Sequence, residues 1–264
     1  MFFQPEPNSE ILTNKIKYTL NNDGLNEKYD YSLDKPKDVF RIIALGDSQT
    51  FGLLVETKDN WTEVLEENLN KNNKCRNTKK FEVINLGVNG YDIQYAAHLF
   101  KLKGEKYQPD LVLWLIRKDN LYQLNELIIG EIIKYYKQAK NADELNGITK
   151  RINDFSIWGQ ISKELLTEFG GPQIFAKQRD FINYFIQSKK SNMVILFFGD
   201  FSAEEKKFIK KINIPRKDGI QIINGLDKKN YFTNFESLNN KGNKELADII
   251  YEYFVDSRVI HCQK

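Results

Sequence analysis

Residues 41–52 have the sequence RIIALGDSQTFG, in which an apolar run stops abruptly at Gly46-Asp47-Ser48. A short run of this kind, rich in β-branched residues and bounded by turn residues, predicts a buried strand. A strand that ends in Gly-Asp-Ser places Ser48 at the carboxyl end of a sheet, which is the edge where α/β proteins bind ligands. Ser48 is therefore a candidate nucleophile, and the question is which residue accepts its proton.

Similar apolar runs recur along the chain, at residues 40–45, 81–86, 111–116, 193–198 and 220–223. They lack strict alternation, which favours strands buried on both faces of a parallel sheet. Helical patterns follow or separate them, at residues 61–69, 93–102, 174–186 and 240–254. Strands that alternate with helices predict right-handed crossovers and a three-layer α/β fold with a five-stranded parallel sheet.

The chain divides into three parts. Residues 1–38 are polar, contain three prolines and are predicted to form an N-terminal arm over the domain at residues 39–254, with a tail at 255–264. An aromatic-rich helical stretch at residues 121–171 interrupts the strand–helix rhythm. Because it follows the carboxyl end of the third strand, it either caps a pocket there or packs as an insertion on the helix layer.

Composition excludes several classes of protein. The 264 residues include 39 Lys and Arg against 36 Asp and Glu, which gives a net charge of only +3. The basic residues are scattered along the chain, and both observations argue against a nucleic-acid-binding face. The apolar runs are too short to span a bilayer, and the first residues do not resemble a signal peptide. We therefore expect a cytoplasmic protein or one truncated after an anchor. Cys75 and Cys262 predict no disulfide framework, and with two histidines they predict no zinc site and no cofactor.

Three motifs surround three successive strands in a fixed order: GDSQTFG at 46–52, NLGVNGYD at 85–92 and PDLVL at 109–113. In residues and order they resemble the SGNH (GDSL-type) hydrolases, over about residues 39–254. The resemblance implies a flavodoxin-like α/β/α fold, and hydrolysis or O-acyl transfer at an acyl ester of a small molecule or glycan.

The resemblance also implies residue roles. Ser48 occupies the position of the nucleophile, and its own N–H, the Gly90 N–H and a third-block asparagine side chain would bind the oxyanion. An Asp-x-x-His pair on the last loop would supply the base. A serine hydroxyl is a weak nucleophile until a base takes its proton, and losing one oxyanion donor costs roughly 3–4 kcal/mol.

Two blocks depart from the family pattern. Residues 117–120 read RKDN where the family has Gly-x-Asn-Asp, so Asp119 stands at the donor position, and a carboxylate only accepts hydrogen bonds. A shift of one residue would bring Asn120 into that role. In the last block, Asn234 and Ser237 stand at the positions of the aspartate and the histidine. Neither can act as a general base near neutral pH.

Other residues are candidates to replace the base. Glu236 is adjacent to the missing histidine, and His261 lies in the tail, whereas His98 lies in a helical pattern typical of a structural or surface histidine. Three hypotheses follow. The chain is a catalytically impaired SGNH protein with a binding or structural role. Alternatively, it is an active ester hydrolase or carbohydrate O-acyltransferase that uses Glu236 or His261. As a third alternative, its insertion binds carbohydrate or an assembly partner through aromatic side chains, namely Tyr135, Tyr136, Phe155, Trp158 and Phe169.

Overall fold

A five-stranded parallel sheet forms the centre of the molecule. The computed structural model describes residues 6–75, 78–153, 156–215, 218–224, 226–233, 237–257 and 259–260. The central strands are β3 (Val39–Gly46), β4 (Lys80–Gly87), β5 (Leu111–Arg117), β6 (Asn192–Phe198) and β7 (Gly219–Ile223), while β1 (Ser9–Thr13) and β2 (Ile16–Leu20) form an antiparallel hairpin. The sheet order is β4-β3-β5-β6-β7. This is the flavodoxin-like order, so the predicted fold class is confirmed.

Helices cover both faces of the sheet. They are α1 (Ser48–Phe51), α2 (Trp61–Lys71), α3 (Ile93–Leu99), α4 (Asn125–Gln138), α5 (Ala142–Asn153), α6 (Ser156–Phe169), α7 (Gly171–Ser188), α8 (Ala203–Ile209), α9 (Lys228–Tyr231) and α10 (Asn240–Ser257). Alternate residues of β3 enter different cores. Ile43 and Leu45 pack with α3 and α7, whereas Ile42 and Ala44 pack with α2 and α10. Two apolar faces on one strand require a helix layer on each side. No helix in the described ranges is long and apolar enough to cross a membrane.

The stretch between β5 and α7 folds around a small hydrophobic cluster of its own. α4, α5 and α6 contact one another, and α6 also contacts α7. Tyr135, Trp158 and Phe169 pack against this cluster, and Tyr136 is half-exposed and hydrogen-bonds Thr149. Phe155 lies outside the described residues. The insertion thus contacts α7 through α6, and three of its aromatic side chains contribute to packing.

The N-terminal arm braces the start of the domain. Asn26 Nδ2 donates to the Phe51 carbonyl at 2.6 Å, and the Leu54 N–H donates to the Tyr18 hydroxyl at 2.9 Å. Both contacts reach the segment that ends α1. The arm therefore supports α1 from outside the sheet.

Cys75 corrects one expectation from the sequence. It is disulfide-bonded, and the other cysteine of the chain, Cys262, lies outside the described residues. The sequence did not indicate that the segment after α2, which contains Cys75, lies close to the segment after α10. α10 packs against α2, and Val259 and Ile260 join the same hydrophobic cluster as Cys75.

Candidate active site

Ser48 is the first residue of α1, immediately after β3. Asp47 caps this helix, since its Oδ1 accepts the Gln49 N–H at 2.9 Å. Two paired glycines at the strand ends, Gly46 and Gly87, let the helix lie directly on the sheet. A Cβ on Gly87 would lie 2.2 Å from the Phe51 nitrogen. Among the described residues, the Ser48 hydroxyl has no hydrogen-bond acceptor.

A buried polar network ties the third block to this helix cap. The Asp47 Oδ2 accepts from Arg117 Nε at 2.7 Å and from Asn120 Nδ2 at 3.1 Å. Asn120 is buried, and its Oδ1 accepts the Arg117 backbone N–H at 2.8 Å. The side chain of Asp119 is 70% exposed and lies 3.6 Å from Arg117 Nη2. Asn120 is therefore held beneath Asp47, whereas Asp119 faces the cavity described below.

Gly90 lies in an exposed turn after β4. Its φ of +81° is a left-handed conformation, and an added Cβ would meet no atom within 4 Å, so backbone conformation is the reason for glycine here. Asn125, at the start of α4, donates from Nδ2 to the Gly90 carbonyl at 2.8 Å. The Asn125 backbone N–H and that of Tyr95 donate to Asp92. Burial raises the pKa of Asp92, while these N–H donors act in the opposite direction.

The contact of Asn125 with the Gly90 turn is one that sequence reasoning missed. Asn125 lies 35 residues from Gly90 along the chain and outside every motif. Only the packing of α4 beside the second block reveals its contact with the turn.

The last loop packs directly against α1. The Leu238 N–H donates to Gln49 Oε1 at 3.0 Å, so the residue after Ser237 contacts the residue after Ser48. Ser237 is buried, and its carbonyl accepts the Thr233 N–H at 2.7 Å. Asn234, Glu236 and His261 lie outside the described residues. The fold thus brings the last block to the end of the sheet where Ser48 lies.

A cavity of about 550 Å³ opens at the carboxyl ends of β5, β6 and β7. This volume lies within the roughly 300–1,000 Å³ that is typical of small-molecule sites. Its wall includes Gln49, Arg117, Asp119 and the stacked rings of Phe198 and Phe232, and the described lining contains no histidine. Cations and carboxylates are mixed around it, since Lys118 and Lys228 accompany Arg117, and Asp200 accompanies Asp119.

His98 lies elsewhere. It is exposed on α3 and lines a separate cavity of about 310 Å³ together with Tyr95, Phe181 and Tyr184. In the described part of the chain, no group of three ligating side chains could hold a metal ion. The cavity at the carboxyl edge of the sheet is the candidate site because Gln49, the residue after Ser48, lies in its wall.

Comparisons with known proteins find similar chains among the solved structures. No protein-family model and no curated protein sequence matches it. A solved two-domain esterase active on acetylated mannans is 12% identical over 86% of this chain and 52% of its own, with a TM-score of 0.49. This chain thus spans about half the length of that esterase.

Two further solved structures are similar to most of this chain. The psychrotrophic esterase EstA from Pseudoalteromonas sp. is 12% identical over 83% of this chain and 98% of its own, with a TM-score of 0.49. The Clostridium thermocellum family 3 carbohydrate esterase is 15% identical over 85% of this chain and 100% of its own, with a TM-score of 0.46. With its sheet order and with Gly46-Asp47-Ser48 at the end of the first parallel strand, the chain has the α/β/α fold of the SGNH hydrolases, as its motifs predicted.

Proposed function

We propose that this chain is a divergent SGNH hydrolase-like protein that retains an acyl-ester pocket, and that its Ser48 lacks an efficient general base. The observation that carries the proposal is the contact between Leu238 and Gln49. This contact holds the last loop against α1, where a base would have to lie, yet the residue at the histidine position is Ser237.

The chemistry of these side chains supports impairment. A positioned general base contributes roughly 10²–10⁴-fold to a rate, and neutral Ser237 has no comparable proton affinity. Asp119 adds a second handicap, because an ionised carboxylate at the cavity wall repels a developing oxyanion and offers it no donor. The backbone N–H groups of Ser48 and Gly90 remain as oxyanion donors. We therefore expect weak residual hydrolysis together with retained ligand binding.

The ligand class that we propose is an acyl ester of a small molecule or a glycan. The motif resemblance supports this class, and the cavity combines two aromatic rings with several polar side chains, as small-molecule sites commonly do. The alternative is an active esterase or O-acyltransferase in which Glu236 or His261 serves Ser48. The same experiment distinguishes the two.

The test is hydrolysis of p-nitrophenyl acetate by the chain, by Ser48→Ala and by the double variant Asn234→Asp/Ser237→His. We expect the chain to match Ser48→Ala, and the double variant to exceed both through a restored base. Because a new imidazole can hydrolyse this ester from any surface, Ser257→His serves as a matched control. Ser257 lies about 25 Å along α10 from the last loop.

An activity of the chain far above that of Ser48→Ala would overturn impairment. Glu236→Gln and His261→Ala then identify the base, since the variant that falls to the level of Ser48→Ala has lost it. Thermal unfolding of each variant confirms that it is folded, which matters because Ser237 is buried.

A further inference from the structure

Three buried carboxyl groups meet where the N-terminal arm contacts α2. Glu27 belongs to the arm and is fully buried, and Glu63 and Glu66 lie one turn apart on α2 and are 2% and 6% exposed. None of them lines the candidate site. Carboxyl groups are rarely buried to this extent unless they are paired or protonated.

Backbone donors from β4 account for part of this cluster. The Asn85 N–H donates to Glu27 Oε1, and the Val83 N–H donates to Glu66 Oε2 at 2.7 Å. The Tyr31 hydroxyl lies between the two carboxyls, 3.0 Å from Glu66 Oε2 and 3.3 Å from Glu27 Oε2. A single phenolic proton can serve only one of them at a time.

Glu63 is left with an unsatisfied oxygen. Its Oε1 accepts the Lys28 backbone N–H at 2.8 Å. Its Oε2 is buried and makes no hydrogen bond, although Lys28 Nζ lies 3.1 Å away as an ion-pair partner. Glu27 interacts with Glu63, whose charge and hydrogen bonding raise the pKa of the Glu27 carboxyl. Two ionised carboxylates cannot donate to each other, whereas a protonated carboxyl can.

Cations do not balance the cluster. The other titratable and charged groups that act on these three carboxyls from the arm, α2 and β4 are Lys28, Tyr31 and Lys80. Tyr29 and Glu67 act on Lys28, and Tyr107, in the segment before β5, is acted on by Glu27. Lys80 also pairs with Glu82, so Lys28 is the cation in direct contact with the cluster among the described residues. Three ionised carboxylates would leave uncompensated negative charge out of contact with water.

We propose that Glu27 carries a proton at neutral pH and donates it to Glu63, and that this shared proton fastens the N-terminal arm to α2 until alkaline pH removes it. Burial, followed by the charge and the hydrogen bond of Glu63, raises the pKa of Glu27 well above its usual range. Burial also raises the pKa of Tyr31. The Tyr31 hydroxyl therefore stays protonated as a donor across the same range of pH.

This contact between Glu27 and Glu63, called the arm latch below, is coupled to the helix that carries Ser48. Asn26, the residue before Glu27, donates from Nδ2 to the Phe51 carbonyl at the end of α1. Its Oδ1 accepts from the Thr57 hydroxyl at 2.5 Å. Release of Glu27 thus removes support from α1. The proposal does not depend on whether Ser48 is catalytically active.

The test compares the chain with Glu27→Gln and with the matched control Glu67→Gln, which changes an exposed carboxyl on the same helix. The first readout is the infrared carbonyl band of a protonated carboxylic acid at about pH 8, above the raised pKa of Glu66. We expect the band in the chain and in Glu67→Gln, and its loss in Glu27→Gln. Absence of the band from the chain overturns the proposal.

The second readout follows the arm itself, by the thermal midpoint and by chymotrypsin cleavage after Tyr31 between about pH 5 and pH 9. We expect the midpoint of the chain to fall and cleavage to accelerate as the pH rises. Glu27→Gln carries a permanent amide donor, so both trends should flatten. If the thermal midpoint and the cleavage rate of Glu27→Gln depend on pH as they do in the unsubstituted chain, the arm latch is refuted. If that variant does not fold, Glu63→Gln replaces it, because its amide donates to an ionised Glu27 and should also abolish the band.

Discussion

The substitution Gly87→Ala tests how α1 is positioned on the sheet. The new Cβ would lie 2.2 Å from the Phe51 nitrogen and 2.4 Å from the Thr50 carbonyl carbon. Both atoms are backbone, so no side-chain rotation relieves the clash. Since ordinary contacts begin at 3.4 Å, α1 has to move by more than 1 Å from the sheet.

The size of the effect follows from this displacement. Inserting one methyl group into a packed region costs about 1–3 kcal/mol of folding free energy. We expect the upper part of that range, because α1 is fastened at both ends. In a version with a restored base, a displacement of about 1 Å at the nucleophile also costs about 10²-fold in rate.

Urea unfolding and the NMR signal of the Trp61 indole measure the two consequences. Trp61 Nε1 donates to the carbonyl of Gln49 in α1 at 3.1 Å, so movement of α1 should shift this signal. The control is Gly147→Ala, at an exposed position of α5 where an added Cβ meets no atom within 4 Å. It should gain about 0.5–1 kcal/mol through helix propensity. A Gly87→Ala variant with unchanged stability and an unshifted Trp61 signal would refute the close-packing argument.

Three further predictions concern buried charges. Asp47→Ala removes the α1 cap and the 2.7 Å carboxylate partner of Arg117 Nε, so urea unfolding should show a loss of about 3 kcal/mol, and a loss below 1 kcal/mol would contradict this role. Burial raises the pKa of Glu66 from 4.5 to about 7, so the folded state holds a proton that the unfolded state releases. Glu66 should therefore contribute a fall in the unfolding free energy of about 1.4 kcal/mol per pH unit between about pH 4.5 and pH 7, and Glu66→Gln should make the measured slope in that window shallower by this amount. Lys189→Met should lower the free energy of unfolding in urea by about 3–5 kcal/mol, because it removes the ion-pair partner of the buried Asp218 side chain. Adding Asp218→Asn should recover part of this loss.

The strands were predictable because their burial leaves a predominantly apolar signal. The predicted run at residues 81–86 falls within β4, and the pattern at 61–69 falls within α2. A strand buried on both faces tolerates few polar residues, which makes its ends easy to find. Gly-Asp-Ser after β3 likewise identified the edge of the sheet that carries the candidate site.

The third block could not be resolved from the sequence. Asp119 and Asn120 are adjacent, and the contact that buries Asn120 is made with Asp47, 73 residues away along the chain. The burial of the Glu27 carboxyl was not predictable either, because it too depends on residues far away along the chain. A polar arm predicts exposed side chains, and only the packing of the arm on α2 and β4 removes this carboxyl from water.

The separate cluster of α4, α5 and α6 has a consequence for the order of folding. β6 has to pair with β5 across the whole of residues 118–191, which carries a loop-closure entropy. Contacts among the three helices are local in sequence and form faster than parallel strand pairing. A helical unit that folds first shortens the flexible chain that β6 must close. Disrupting it should therefore slow the pairing of β6 with β5 while leaving the registry of the finished sheet unchanged.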